Sequence, residues 1–256
     1  MKVTLIGSGN VATVFGKLII KAGHEVVEII SRNKDHATQL AGIVGANYSI
    51  DLSKINNDSD IYIIALADNA VAEIVNKLRF DNKIVVHTAG SLSINVLKNV
   101  SENFGILYPL QTLRKENENV SSIPLLIDAN NNQALNIIET FARSLSDKVA
   151  VADDMQRTKL HVAAVISSNF SNYLFTLAEQ FCKQEGIPFD MLIPVIQETT
   201  SRLNNFSPKD VQTGPAIRND ISTIEKHIEL LNNYPELQNI YKNFSAAIIN
   251  FYHSEG

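Results

Sequence analysis

The chain has 256 residues, 45% of them hydrophobic, which suffices for one large domain or two modest ones. Its 22 basic and 27 acidic residues give a net charge of -5 without a basic tract, which argues against nucleic-acid binding because neutralising phosphates requires clustered Lys and Arg. The single cysteine, Cys182, excludes an intrachain disulfide and favours a reducing compartment.

Neither a signal peptide nor a membrane span is expected. The first twenty residues contain apolar runs, but GSGN and Lys17 interrupt them, and the same residues make a better strand, turn and helix. The longest uncharged stretch, from Leu160 to Ala178, contains His161, Asn169 and Asn172, each of which is costly in hydrocarbon. We therefore expect a cytoplasmic protein.

Short β-rich runs alternate with helical patterns in the first part of the chain. The runs are KVTLI, EVVEII, DIYIIAL, KIVVHT, FGILY, PLLID and KVAVA, and a helix is predicted from about Asn10 to Ala22. Such alternation predicts a parallel sheet with helices on both faces. From Met155 onward every apolar pattern is helical, so we predict an α/β domain over residues 1–152 and an all-helical domain over residues 153–256.

The motif GSGNVA lies between the first strand and the first helix and comprises Gly7, Ser8, Gly9, Asn10, Val11 and Ala12. Gly7 permits a tight turn, Gly9 lets the backbone approach a pyrophosphate, and Ala12 allows close packing of helix on strand. The N-terminal amides of the helix then favour an anion. The motif predicts a dinucleotide site of the Rossmann type; the alternative is a tight turn in some other α/β protein.

The end of the second strand bears on which dinucleotide binds. An acid at its tip would hold the ribose 2′-hydroxyl of NAD, but EVVEII runs into Ser31, Arg32 and Asn33. A guanidinium beside hydroxyl and amide donors suits the 2′-phosphate of NADP, so NADP is favoured over NAD. Glu28 is the rival residue, although it lies within the strand, and Arg32 could equally be an ordinary solvated arginine.

Two more strand ends point to the same crevice, because ligands of open α/β sheets bind beyond the carboxyl ends of the strands. One strand ends in the predicted cofactor-binding residues Leu66, Ala67 and Asp68, and the next in His87, Thr88 and Ala89. Small residues there would let a flat nicotinamide ring lie against the backbone. His87 could instead be only a polar cap on its strand.

A polar stripe follows the helix after residue 155. At 100° per residue, Arg157, His161, Ser168 and Asn172 fall close to one line, with Asn169 beside it. Because no charged residue occurs between Leu160 and Ala178, we expect this helix to be buried on most sides. Its polar side chains then pair internally or across a dimer interface, or they face nicotinamide and substrate.

A second polar cluster lies in TGPAIRNDISTIEKHIELL, residues 213–231, where five apolar residues mark the buried side of a helix. Asp220 and His227 line one flank and Arg218 lies on the other. Thr213 or Ser222 could cap the helix, and Ser222 with Glu225 matches a capping box. In the functional interpretation Arg218 binds a substrate carboxylate and Asp220 orients His227 or a substrate donor. In the structural one, Arg218 and Asp220 form a salt bridge at the first turn.

The chain resembles the two-domain proteins that join a Rossmann-like domain to a helical domain of unknown function. These are similar to pyrroline-carboxylate reductases and deazaflavin-dependent NADP reductases. The likeness covers essentially the full length and rests on GSGNVA, SRN, HTAGS, YPLQTL, HVAAVISSN and TGPAIRNDISTIEKH. It implies a Rossmann-like domain followed by a helical domain like the C-terminal one of 6-phosphogluconate dehydrogenase, an NAD(P)-binding oxidoreductase, and a homodimer formed through the helical domain.

The sequence departs from two better-known relatives. β-Hydroxyacid dehydrogenases use a lysine followed one helical turn later by an asparagine, whereas Lys159 is followed at that spacing by Ala163. The threonine-rich C-terminal motif expected of pyrroline-carboxylate reductases is also absent. The resemblance therefore names no substrate.

These observations lead to one functional hypothesis and one rival. An NADP-dependent oxidoreductase would transfer hydride to or from a small carbonyl or imine bound between the domains, with His161 as proton donor. Ser168 and Asn169 would hold the reacting oxygen or nitrogen, and Arg218 an acidic group. The rival is a nicotinamide-binding sensor or assembly protein without turnover. Neither requires a nucleic acid or a membrane as partner.

Overall fold

The protein is described by a computed structural model that covers residues 1–116 and 123–253. The chain divides into two compact units, Met1–Asn169 and Phe170–Gly256. Regular β-structure ends at Val151, in agreement with the end of the β-rich sequence pattern, but the next helix belongs to the first unit. The predicted domain boundary near residue 152 stays a prediction.

The first unit contains an eight-stranded sheet in the order β3-β2-β1-β4-β5-β6-β7-β8. The strands are β1 Lys2–Ile6, β2 Glu25–Ile30, β3 Asn47–Ser49, β4 Ile61–Ile64, β5 Ile84–His87, β6 Asn103–Pro109, β7 Leu125–Ala129 and β8 Val149–Val151. Every neighbouring pair is parallel except β6 with β7. The predicted parallel sheet is confirmed, with one antiparallel pair and one short edge strand, β3, that were not predicted.

Within the described part of the first unit, five α-helices accompany the sheet: α1 Asn10–Lys21, α2 Lys34–Val44, α3 Asp68–Ile74, α4 Asn132–Leu145 and α5 Asp154–Ala164. Two apolar clusters flank the sheet. One joins Leu5 and Ile63 to Phe15 of α1 and Phe141 of α4, and the other is built around Tyr62. Because both faces of the sheet are buried, the central strands have unbroken runs of apolar residues in the sequence.

The parallel strands place their carboxyl ends along a single edge of the sheet. β1 ends at Ile6, β4 at Ile64 and β5 at His87, and these three residues are in register from strand to strand. β6 continues the series, with Ile106 opposite His87 and Tyr108 beyond it. The segments that follow these four strands therefore share one edge, which is where an open α/β sheet binds its ligands.

The second unit is helical, with α6 Ser171–Gln184, α7 Ile193–Ser201, α8 Ile221–Leu230 and α9 Pro235–His253. A π-helical segment, Val165–Phe170, lies between α5 and α6. None of the helices in residues 1–116 and 123–253 has the length and apolar character needed to cross a membrane.

The expectation that the uncharged helix from Leu160 to Ala178 is buried on most sides is wrong for a single chain. Val162 is 53% exposed, Ile166 56% and Phe170 58%. Among the described residues of this chain, none of these three side chains belongs to either core cluster. The lack of charge in this helix is therefore not explained by burial within the chain.

Candidate functional site

Gly7 turns the chain sharply from β1 into α1. Its φ of +126° is a conformation that only glycine adopts readily, and a Cβ there would lie 2.2 Å from the carbonyl oxygen of Ala65. The Gly7 amide donates to the Ile30 carbonyl oxygen at 2.8 Å. Gly7 thus forms the tight turn that the motif predicted, and contacts to the ends of β2 and β4 hold it in place.

Gly9 leaves the start of α1 open. It is the N-cap residue, no side chain caps the helix, and a Cβ built on Gly9 meets no atom within 4 Å. The first amides of α1, those of Asn10 and Val11, lie at this open end, while Ala12 is fully buried against the sheet. An uncapped helix start without a side chain above it is suited to receive a phosphate group.

The end of β2 lies beside this turn. The hydroxyls of Ser8 and Ser31 are 2.7 Å apart, which joins two of the predicted cofactor residues. Arg32 is 84% exposed, and its guanidinium is 4.0 Å from the Glu73 carboxylate. Asn33 caps α2 by accepting from the His36 amide at 3.0 Å. Arg32 therefore presents its guanidinium to solvent and makes a loose contact with Glu73.

Glu28 lies within β2 and not at its tip. Its side chain is buried, and its carboxylate accepts from the Asn56 amide at 2.9 Å. An acid already bonded inside the sheet is poorly placed to hold a ribose hydroxyl beyond the strand end.

The residues after β4 start α3 and reach toward the loop after β5. Leu66 is partly buried against the core, Ala67 is the N-cap of α3, and Asp68 is its first residue. The Asp68 carboxylate accepts a hydrogen bond from the Ser91 hydroxyl. In the neighbouring segment the Thr88 amide donates to the Ile64 carbonyl oxygen at 3.1 Å. The two predicted strand ends are therefore joined to each other.

His87 ends β5 and is fully buried. Burial, followed by the positive charge of Arg157, lowers the pKa of His87 to about 4. The neutral ring accepts from the Ala89 amide through Nδ1 at 3.2 Å. A histidine that stays neutral at physiological pH and holds its own turn fits the polar-cap interpretation.

Arg157 does not belong to an open polar stripe. Its side chain is fully buried and donates from Nε to the Gly90 carbonyl oxygen at 3.2 Å and from Nη2 to the Leu92 carbonyl oxygen at 2.5 Å. Nη2 is also 2.7 Å from the Asp154 carboxylate, one helical turn earlier on α5. Arg157 thus ties α5 to the loop that follows β5.

A cavity of about 720 Å³ opens beside β6 and α5 in the first unit. It is lined by Tyr108, Leu110, Gln111, Thr112, Leu160, His161, Ala163, Ala164, Val165, Ser167, Ser168 and Asn169. The Ser168 and Thr112 hydroxyls are 3.1 Å apart. The structure therefore brings His161, Ser168 and Asn169 to one cavity, although their roles stay predictions.

The cavity contains a tyrosine–histidine pair. Tyr108 Oη lies 2.8 Å from His161 Nδ1, and the rings meet edge to face at 73°. Burial raises the pKa of Tyr108, the negative charge of Asp68 raises it further, and Arg157 opposes both. A Cβ on Gly90 would lie 2.9 Å from the Tyr108 ring and 3.1 Å from His161 Nδ1, so the loop after β5 packs closely against the pair.

Tyr108 was not predicted as a site residue. It stood in the sequence only as part of YPLQTL, and it is separated from His161 by 53 positions. The available signal was its place at the end of a strand adjacent to β5. Its pairing with a histidine on a distant helix requires the fold.

The polar cluster of the second unit is organised differently from the prediction. Asp220 is the N-cap of α8 and accepts from the Thr223 amide at 3.1 Å and hydroxyl at 2.7 Å, which lowers the pKa of Asp220. His227 Nδ1 lies instead 2.7 Å from Tyr241 Oη. No hydrogen bond joins Asp220 to His227 among the described residues, the alternative that Asp220 orients a substrate donor stays a prediction, and the cap predicted at Thr213 or Ser222 is wrong. The reason is that a carboxylate just before the helix reaches the amide three residues on.

Two family models match this chain. Residues 2–90 match the family described as "NADP oxidoreductase coenzyme F420-dependent", and residues 123–248 match a domain of unknown function, DUF2520. The first match contains the Gly7–Gly9 turn and the ends of β1, β2, β4 and β5. The second contains α5 and most of the helical unit.

Solved structures with the same architecture include one at substantial identity. A protein described as "putative NADP oxidoreductase" from Bacteroides fragilis is 36% identical over 97% of this chain and 98% of its own, with a TM-score of 0.89. A 1-pyrroline-5-carboxylate reductase from Streptococcus pyogenes is 15% identical over 98% of each chain, with a TM-score of 0.68. An imine reductase from Myxococcus stipitatus in complex with NADP⁺ is 16% identical over 98% and 92%, with a TM-score of 0.64. The latter two share the fold alone.

Among curated proteins, a glycerol-3-phosphate dehydrogenase [NAD(P)⁺] from Staphylococcus epidermidis is 26% identical over 117 residues. That stretch covers 40% of this chain and 35% of the relative, so the chain matches only about a third of that protein's length. With two adjoining family models and a full-length relative at 36% identity, the chain belongs to the family of NAD(P)-dependent oxidoreductases in which an NADP oxidoreductase domain precedes a DUF2520 domain.

Proposed function

We propose that this protein transfers hydride between NADP and a small carbonyl or imine compound. The observation that carries the proposal is the shared edge of the sheet: the open start of α1 follows β1, and the cavity with Tyr108 and His161 follows β6. A nicotinamide dinucleotide bound at that edge would supply a hydride. The polar groups of the cavity lie on the same edge and could hold the reacting oxygen or nitrogen.

The strand order supports one direction for the cofactor. With the 2′-phosphate at the end of β2 and the pyrophosphate on α1, the dinucleotide extends from β2 across β1 toward β4 and β5. Leu66, Ala67 and Asp68 follow β4, and His87, Thr88 and Ala89 follow β5, where the nicotinamide would lie. The absence of a side chain at Gly9 leaves room for the pyrophosphate.

Arg32 is the proposed partner of the 2′-phosphate, which makes NADP the favoured cofactor over NAD. Replacing Arg32 with alanine should raise the Kd for NADPH about tenfold, because one charge-assisted contact to phosphate contributes roughly 1–2 kcal/mol. The Kd for NADH should not change, since NADH has no 2′-phosphate. Fluorescence titration with both nucleotides measures the two constants.

Glu28→Gln is the matched control for that titration. The amide can still accept from Asn56, so both affinities should stay within about twofold of those of the wild type. A selective loss of NADH binding in this variant would show that the acid holds the ribose, and the assignment of NADP would be wrong. Equal affinities for NADPH and NADH in the wild type and in both variants would also show that the assignment of NADP is wrong.

Turnover separates the proposed enzyme from a sensor that only binds the nucleotide. A panel of aldehydes, 2-oxo acids and cyclic imines should include compounds that cause NADPH oxidation, followed by the loss of its absorbance. If NADPH raises the melting temperature and no compound is reduced, the protein is a binding protein without turnover.

The predicted contact of Arg218 with an acidic group would appear as a raised KM for acidic substrates in Arg218→Ala.

We also propose a homodimer formed through the helical domain. The proposal is supported by the exposed apolar side chains of the uncharged helix, including Val162, Ile166 and Phe170. Light scattering should give twice the chain mass of 28.3 kDa. Phe170→Asp should give the mass of one chain, whereas Ile50→Asp, an equally exposed apolar position next to β3, should leave the dimer intact.

A further inference from the structure

We propose that the Tyr108 hydroxyl donates the proton to the oxygen of a carbonyl substrate, and that His161 returns a proton to Tyr108. This inference rests on the proposed function and assigns its acid and its substrate class. It begins from the 2.8 Å contact between Tyr108 Oη and His161 Nδ1 at the wall of the 720 Å³ cavity. Both side chains are partly buried, and both line the cavity, so the pair is accessible from it.

The position of the pair agrees with the direction proposed for the cofactor. β6 is the strand next to β5, so Tyr108 follows the strand ends where the nicotinamide would lie. Gly90, in the loop after β5, approaches the Tyr108 ring so closely that a methyl group there would be 2.9 Å from it. The loop that would carry the nicotinamide therefore directly contacts the tyrosine.

Tyr108 is better suited than either histidine to touch the substrate. His161 Nδ1 is already engaged by Tyr108, and Gly90 closes that side of the imidazole. His87 is fully buried and neutral. The charged groups that act on Tyr108 are Asp68 of α3 and Arg157 of α5, and burial is the largest influence, so the phenol keeps its proton throughout the physiological pH range.

The acidity of the donor selects the substrate class. Hydride addition to a carbonyl produces an alkoxide, which is a much stronger base than a phenolate and takes the proton readily. An imine nitrogen is a weaker base than a phenolate, so a buried phenol cannot protonate it before hydride arrives. In the reverse direction the phenolate form of Tyr108 would have to accept the proton of an alcohol. A raised pKa makes that form scarce near neutral pH. The pair therefore favours reduction of a carbonyl over reduction of an imine.

The proton steps balance within the chain and solvent. The carbonyl carbon would take a hydride, which is the chemistry that NADPH would supply when bound, and the electron pair of the C=O π bond would move to the carbonyl oxygen. That oxygen takes the proton of Tyr108 Oη, which leaves a phenolate. His161 then takes a proton from solvent at Nε2 and passes its Nδ1 proton to the phenolate, so that the imidazole ends neutral. The products are an alcohol, NADP⁺ and a tyrosine restored to its starting state.

The first test uses the protein without nucleotide. In ¹⁵N-histidine NMR spectra, Tyr108→Phe should move the Nδ1 resonance of His161 and leave the other histidine resonances in place, because only His161 loses a hydrogen-bond partner. Tyr62→Phe is the matched control, since it also removes a buried tyrosine hydroxyl of the same sheet, bonded to the Asn56 carbonyl oxygen at 2.7 Å. An unchanged His161 resonance in Tyr108→Phe would overturn the pairing.

The second test measures NADPH oxidation with pyruvate, glyoxylate and butanal as carbonyl probes and with 1-pyrroline as imine probe. Tyr108→Phe should lower kcat for the carbonyl probes about 100-fold, with the Kd for NADPH within twofold, and Tyr62→Phe should not lower it. Added imidazole should rescue His161→Ala and not Tyr108→Phe. Rescue of His161→Ala alone would show that His161 positions and reprotonates Tyr108, whereas Tyr108 is the donor to the substrate.

The outcomes distinguish the two proposals. If the wild type reduces the carbonyl probes and Tyr108→Phe does so equally well, the inference fails and the proposed oxidoreductase stands. The same holds if only 1-pyrroline is reduced. If NADPH is oxidised with none of the probes, the proposed function fails together with the inference.

Discussion

Replacing Gly7 with alanine should destabilise the protein by roughly 4 kcal/mol, because it combines an unfavourable backbone conformation with a steric clash. The φ of +126° excludes most L-residues, and the new Cβ would lie 2.2 Å from the Ala65 carbonyl oxygen. That oxygen belongs to the backbone just after β4 and cannot rotate away as a side chain would. Denaturant unfolding followed by circular dichroism measures the loss.

Gly9→Ala is the matched comparison, two residues farther along the same turn. Its Cβ would meet no atom within 4 Å and its φ is −83°, so the free energy of unfolding should change by about 1 kcal/mol or less. The affinity for NADPH should nevertheless fall at least about tenfold, because the methyl group occupies the approach of the pyrophosphate. Wild-type affinity in Gly9→Ala would mean that the pyrophosphate does not lie on this turn.

The dinucleotide turn could be predicted because its determinants are local. Gly7, Gly9 and Ala12 lie within six residues, and each is required by a contact to the adjoining strands or by an open helix start. The long strands were predictable for a similar reason, since burial on both faces produces unbroken apolar runs. In contrast, β3 is a three-residue edge strand whose residues Asn47–Ser49 have no apolar pattern.

The paired side chains of the site could not be predicted from local sequence. Tyr108 meets His161 only because β6 lies beside β5 and α5 returns to the same edge. In the second unit, His227 bonds to Tyr241 of the following helix and not to Asp220 on its own helix. Spacing along one helix finds side chains on one face, but it does not identify their partners on other elements.

The uncharged helix shows that a lack of charged residues does not by itself predict burial within one chain. The absence of charge from Leu160 to Ala178 predicted burial on most sides, yet this chain leaves Phe170 58% exposed. An apolar sequence pattern does not show whether the same chain covers the surface, another molecule covers it, or it stays exposed. The proposed homodimer would resolve the difference.

Arg157→Met should destabilise the protein by about 3 kcal/mol, because two carbonyl oxygens and one carboxylate lose the donor that a fully buried guanidinium provides. Arg157 is fully buried and bonds to Gly90, Leu92 and Asp154. Arg143→Met is the matched control: its ion pair with Glu139, at 2.6 Å, lies on an exposed helix face. Its removal should cost about 0.5 kcal/mol or less. Equal losses in the two variants would contradict the role given to burial.

The stability difference between Arg157→Met and the wild type should depend on pH with a defined sign. Burial raises the pKa of Asp154, but hydrogen bonds from Ser93, Arg157 and the Ile94 amide lower it by more, so the net shift is downward. A carboxyl group with a lowered pKa stabilises the folded state above its unfolded pKa of about 3.9, and that contribution is lost as the pH falls through the folded value. The difference in the free energy of unfolding should therefore have its full value at pH 7 and become smaller in acid.

Since Arg157 also holds the Gly90 loop against Tyr108, the variant should lose turnover even at temperatures where it remains folded.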